Sequence, residues 1–159
     1  MTDFKNLDIS TTKEYLLKKE FSSLELTKFF IDRIEKSNLN CFITNTFENA
    51  IEMAKESDKK ISRNREIRDL EGIPIGMKDL FCTKGVRTTA GSKILENFIP
   101  FYESTVSNNL INDGAVILGK TNMDEFAMGS ANTTSFFGNV INPLKSDKEK
   151  NKNLVPGGS

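Results

Sequence analysis

The chain has 159 residues, 22 basic and 22 acidic side chains, and no histidine. That length predicts one domain with a sizeable core, and the balanced charge removes the composition-based case for a nucleic-acid or membrane-surface partner. Without histidine this chain holds no Ser-His-Asp or Cys-His arrangement and no imidazole zinc site, so a base at neutral pH must be a carboxylate, a lysine or a cofactor. From the N-terminus, Thr11 with Glu14 and Ser22 with Glu25 have capping-box spacing. Leu26, Phe29, Phe30 and Ile34 follow the second pair at helical spacing, and Phe47, Ala50, Ile51, Ala54 and Ile61 repeat it. Three amphipathic helices are predicted over residues 1–70, with Cys41–Thr44 as a short extended piece before the third. Their Phe and Ile stripes read as core.

From residue 71 the pattern changes. Ile73-Pro74-Ile75 and Ala115-Val116-Ile117-Leu118 are short apolar runs, the second bounded by Gly114 and Gly119. That fits a buried strand. Ser104–Asp113 reads as a helix with Val106 and Leu110 four apart and Gly114 as its stop. A helix feeding a strand between glycines predicts an α/β core. Residues 119–143 read as loop and short helix. The polar run from Leu144 to Asn153 reads as a solvated surface loop, Asp147 and Glu149 diluting any basic RNA contact.

Several residues are candidates for chemistry. Lys78 stands at the end of an apolar strand; burial there would disfavour its ammonium and let the neutral amine accept a proton. The plainer reading is a strand-end lysine paired with Asp79. Ser159 follows two glycines, whose backbone freedom allows a hydroxyl to be aimed at a substrate; the plainer reading is a linker. Asp124 and Glu125 read as helix N-terminal acids favoured by the dipole rather than as an acid/base pair. Ser130, Thr133, Thr134 and Ser135 either line a polar pocket or satisfy turns. Cys41 and Cys82 form no CxxC pattern and read as reduced thiols of a cytosolic protein. Cys82 as a nucleophile would lack an activating histidine. No run of about 18 apolar residues is present, and the N-terminus reads as neither a secretory signal nor a transit peptide; a cytoplasmic location without membrane partners is expected.

In chain order, Gly72-Ile73-Pro74-Ile75-Gly76-Met77-Lys78-Asp79-Leu80, Lys84–Ser92, Gly119-Lys120-Thr121-Asn122-Met123-Asp124-Glu125-Phe126 and Val155-Pro156-Gly157-Gly158-Ser159 resemble the amidase signature family. The stretches Thr121–Ser130 and Phe137–Pro143 are more narrowly similar to the branch formed by the A subunits of glutamyl-tRNA(Gln) amidotransferases. Leu144 departs from the aromatic common after Asn142-Pro143. The resemblance implies an α/β amidase signature fold, a mixed central sheet flanked by helices. Residues 1–159 would be the N-terminal part of one amidase domain, with 1–70 the helical region and 71–159 the start of the core.

It further implies a Ser-cisSer-Lys triad with Lys78 as the catalytic lysine and Ser159 as the bridging serine. Gly129 and Ser130 would bind substrate. The nucleophilic serine, the oxyanion-hole glycines and the residues gripping glutamine would lie beyond residue 159. The reaction implied is hydrolysis of glutamine to ammonia for conversion of Glu-tRNA(Gln) to Gln-tRNA(Gln). Subunits B and C would be partners, ATP and Mg would be used by a partner subunit, and this chain would hold no cofactor or metal. The other readings are an inactive truncated product that at most binds partners, and a hydrolase of small amides.

Overall fold

A computed structural model of the chain describes residues 4–65, 67–145 and 153–157. Among these the order is α1 (Ile9–Lys18), α2 (Ser23–Glu35), β1 (Phe42–Asn45), α3 (Phe47–Ser62), β2 (Pro74–Lys78), α4 (Thr105–Asn112) and β3 (Val116–Thr121). Single 3₁₀ turns lie at Phe4–Asn6, Lys93–Leu95 and Glu125–Ala127. Most of the polar run from 144 to 153, and Ser159 itself, lie outside the described residues.

Capping chemistry sets the helix starts. The Ser22–Glu25 box forms as the spacing predicts, with both reciprocal hydrogen bonds present. The Thr11–Glu14 box does not. Asp8 already accepts from the Thr11 amide at 2.7 Å, so α1 begins a turn earlier. Glu14 is left to pair with Lys18 at 2.5 Å on the exposed face. Hydrogen bonds lock the helical region to the start of the α/β core. Asp58 of α3 accepts from the Ser23 and Leu24 amides at 2.7 and 3.1 Å, and Ser23 Oγ donates to Gly72 O at 2.7 Å. The buried carboxylate of Glu71 is held by Ser57 at 2.7 Å and Lys60 at 3.0 Å. A charge taken out of water needs such partners.

The sheet has strand order β1-β3-β2, with β2 parallel and β1 antiparallel to the central β3. This is the mixed α/β arrangement expected. Ala50 and Ala54 are fully buried and bring α3 onto Val116 and Leu118 of β3, with Ile31 of α2 beside them. A second cluster joins α1 and α2 through Leu16, Phe21 and Leu26 to Ile61 and Ile73.

Two expectations are corrected. The stripe of α4 is not Val106 with Leu110, because Val106 is 40% exposed while the hydroxyl residue Ser107 is buried. Ser107 is drawn in because its Oγ donates to Cys82 O at 2.8 Å and its amide to the Ser104 cap at 3.1 Å. The β3 strand does not stop at Gly119 but runs to Thr121. Gly119 is a strand position where β1 comes too close for a side chain. A Cβ there would lie 2.4 Å from Thr44 O.

Candidate active site

Lys78 is the last residue of β2, and its register partner is Thr121, the last residue of β3. Thr121 in turn pairs with Phe42 of β1. In-register residues share a face of a sheet, and residues two apart do likewise. Gly76, Lys78, Thr121 and Phe42 therefore line one side at the strand ends. A Cβ at Gly76 would meet Thr121 Cγ2 at 2.7 Å, which keeps this floor flat. Lys78 is half-buried, and the pairing with Asp79 weighed from the sequence is absent from the ion pairs of the described residues. Consecutive residues face opposite ways, so Asp79 turns to the other side.

That other side holds a lysine that no sequence pattern singles out. Lys120 pairs in register with Met77 and is fully buried. Its ammonium donates to Phe81 O, to Thr83 Oγ1 at 3.0 Å and to Thr88 Oγ1 at 3.0 Å. Burial pulls its pKa down from 10.5 to about 8, against the opposing pull of Asp79, Cys82 and Glu103. Asp79 is equally buried. Its Oδ2 accepts from the Thr89 amide at 2.9 Å and the Thr89 hydroxyl at 2.5 Å. Its Oδ1 has no partner among the described residues. Burial raises the Asp79 carboxyl; the Thr89 hydrogen bonds and the Lys120 charge only partly offset this.

The Lys120 shift has a thermodynamic consequence. A lysine whose pKa is lower folded than unfolded favours folding in its neutral form. Its contribution is fully present above 10.5 and is lost as the pH falls through about 8. Each pKa unit is about 1.4 kcal/mol, so a subunit with Lys120 should gain roughly 3 kcal/mol of stability across that window relative to Lys120→Met. Urea unfolding at pH values spanning the window measures this; parallel curves for the two proteins would contradict it.

Beyond β3 the chain enters a loop organised by Asp124. The expected helix N-terminus is only a 3₁₀ turn, with no side-chain cap from Asp124. The carboxylate instead accepts from the amides of Asn132 at 2.9 Å, Thr133 at 2.9 Å and Thr134 at 3.2 Å, and from Thr134 Oγ1 at 3.0 Å. Burial would raise this carboxyl, but those hydrogen bonds outweigh it and hold the pKa below its usual value. Glu125 accepts from Ser92 Oγ at 2.6 Å. Neither acid is arranged as an acid/base pair. Ser135 Oγ donates to Asn122 Oδ1 at 2.7 Å, so Thr134 and Ser135 serve the turns. Gly129 lies against the Asp124 carboxylate, where a Cβ would come within 2.3 Å of Cγ. Ser130 is exposed and carries no hydrogen bond among the described residues.

The described C-terminal segment packs beside the end of β3. Asn142 donates from its amide to Leu154 O at 3.0 Å and from Nδ2 to Val155 O at 3.1 Å. Pro156 then lines a cavity of about 230 Å³ together with Cys41, Thr121, Asn122, Asn132 and Val140. Thr121 is thus common to the cavity and to the register pair with Lys78. Cys41, in the same wall, is half-buried and its thiol pKa is raised by burial, which does not suit a nucleophile. No helix among the described residues is long and apolar enough to cross a membrane.

Comparison with known proteins bears on the family and the fold. The amidase family model matches residues 25–159. The A subunit of the glutamyl-tRNA(Gln) amidotransferase of Rickettsia bellii is 54% identical over 160 residues, covering 100% of this chain and 32% of that protein. Among solved structures, a chain from a vestigial complex tied to the origins of an s-triazine catabolic enzyme superposes with TM-score 0.85 at 28% identity. That match covers 96% of this chain and 33% of the other. The A subunit of the Thermotoga maritima glutamyl-tRNA(Gln) amidotransferase gives TM-score 0.72 at 31% identity, covering 100% of this chain and 31% of that one. The chain thus spans about a third of the length of the relatives it matches. Matched from Glu25 through the lysine-bearing strand to the segment beyond Asn142, the chain belongs to the amidase family and has its α/β fold.

Proposed function

We propose that residues 1–159 are the N-terminal part of the A subunit of a glutamyl-tRNA(Gln) amidotransferase, the subunit that hydrolyses glutamine to release ammonia. The observation behind the reading is that Pro156 lines the same small cavity as Thr121, the register partner of Lys78. Gly157, Gly158 and Ser159 follow directly in sequence. In this reading the amine of Lys78 accepts the proton of Ser159. Ser159 accepts that of a nucleophilic serine supplied by the rest of the amidase domain. The serine oxygen bonds to the carbonyl carbon of the glutamine side chain. Collapse of the tetrahedral adduct breaks the C–N bond, and the relayed proton leaves with nitrogen as ammonia. Water then cleaves the glutamyl ester to glutamate and restores the serine. In this reading Gly129 and Ser130 contact the glutamine; the Ser130 hydroxyl is exposed and has no hydrogen-bond partner among the described residues. Subunits B and C complete the assembly in the cytoplasm. ATP and Mg act in a partner subunit, which activates the glutamyl group of Glu-tRNA(Gln).

The test is glutamine-dependent formation of Gln-tRNA(Gln) by a complete subunit containing this chain, assembled with B and C subunits. Hydrolysis of small amides without transfer to Glu-tRNA(Gln) would favour a plain amidase. Residues 1–159 purified alone should show no glutamine turnover above a Ser159→Ala control, since the relay then has no nucleophile to serve. Clear turnover by the isolated chain would overturn the assignment of the nucleophile to the rest of the domain.

A further inference from the structure

The reaction proposed above uses one lysine, yet the most deeply buried lysine among the described residues is Lys120, on the opposite side of the same strand ends. We propose that Lys120 is a positioning residue for Lys78: its ammonium clamps the turn that leaves Lys78 and so fixes where the Lys78 amine sits. The inference rests on the reading of Lys78 as proton acceptor.

The clamp is built from the ten residues after Lys78 in the chain. Phe81 O, Thr83 Oγ1 and Thr88 Oγ1 all accept from Lys120 Nζ. An ammonium has three N–H donors, and these three acceptors use all of them. The two hydroxyl protons are already committed, Thr83 Oγ1 to Phe81 O at 3.1 Å and Thr88 Oγ1 to Val86 O at 3.0 Å. Neither threonine is therefore free to turn and donate to a neutral amine. Loss of the Lys120 proton removes one of the three bonds. The same turn is held to the sheet by Asp79 N donating to Thr121 O at 3.1 Å, and by the Thr89 bonds to the Asp79 carboxylate. Loosening it releases the strand end that carries Lys78. The ionisable groups around Lys120 are Asp79 at the end of β2, Cys82 in the turn and Glu103 ahead of α4. The carboxylates of Asp79 and Glu103 favour the ammonium, and burial opposes it.

The consequence is a pH response that runs against stability. Above about pH 8 Lys120 loses its proton, which stabilises the fold but opens the clamp. A residue of purely structural importance would carry activity and stability in the same direction. The experiment is steady-state glutamine hydrolysis by a complete subunit containing this chain, from about pH 6 to 10, alongside urea midpoints at the same pH values. In the wild type, kcat should fall above about pH 8 while the urea midpoint rises. Lys120→Arg keeps its charge and should move that fall to higher pH. Lys120→Met should lose about 10- to 100-fold in kcat with KM within about twofold, as expected for a misplaced catalytic group.

A wild-type kcat that stays level above pH 8 would overturn the inference, and this reading needs no variant to fold. So would an unmoved fall in Lys120→Arg, or wild-type kcat in Lys120→Met. Failure of the underlying reading is separately visible, because turnover would then survive in Lys78→Ala.

Discussion

Lys78→Ala in a complete subunit containing this chain should lower kcat for glutamine hydrolysis by about 1,000-fold or more, leaving only the catalysis due to substrate binding and the oxyanion site. Stability should change by less than about 0.5 kcal/mol, because Lys78 is half-buried and its amine bonds to nothing among the described residues. Lys78→Arg separates the two properties of the lysine. Arginine keeps the positive charge and most of the length but does not give up its proton at any pH of interest. A relay that needs a neutral acceptor should be as dead in Lys78→Arg as in Lys78→Ala. If Lys78 merely held a substrate carboxylate, arginine would restore much of the activity and the loss would fall on KM. Glutamine kinetics on the three proteins decide between these, and turnover retained in Lys78→Ala would sink the proton-acceptor role.

The position of Lys78 was legible in the sequence, but the burial expected of it belongs to another residue. An apolar run before a lysine signals a strand end, and β2 ends at Lys78. The fully buried amine with a pKa pulled down by burial is Lys120, which the glycine at 119 seemed to place after the strand. Simple alternation along β3 would have put Lys120 with Val116 and Leu118. The register shifts opposite Leu118, where β2 passes from Ile75 to Gly76, and so Lys120 joins Met77 on the side of Ala115 and Ile117. A bulge of one residue reverses the face of everything after it, and no periodicity announces it. The helical region was easier. The Ser22–Glu25 box and the alanines of α3 act within one or two turns, so local spacing was enough. Asp124 was illegible for the opposite reason. Its partners at 132–134 are made by a loop whose shape depends on the carboxylate itself.

That dependence makes Asp124→Ala the second large loss. The carboxylate is the common acceptor for three backbone amides and one hydroxyl of the loop that follows Gly129 and Ser130. Alanine leaves the buried Asn132 amide unpaired and gives up the acceptor that gathers the Thr133 and Thr134 donors, so the loop loses what holds its shape. If Gly129 and Ser130 contact glutamine as proposed, kcat/KM should fall about 100-fold, most of it in KM, since a displacement of about 1 Å is enough for that. Gly129→Ala should move in the same direction, because its new methyl group would overlap Asp124 Cγ at 2.3 Å. Acid supplies an independent readout. A carboxyl held below its ordinary value of 3.8 contributes stability that is complete above that value. The contribution is lost as the pH falls through the lower folded pKa. The wild type should therefore lose stability on acidification below about pH 4 more steeply than Asp124→Asn, which has no proton to take up. Unchanged KM in Asp124→Ala would separate the loop from glutamine binding. Matching acid profiles for wild type and Asp124→Asn would remove the carboxylate from the account of the loop's stability. The two measurements fail independently, so a loop that is held by Asp124 but does not touch substrate would be recognised as such.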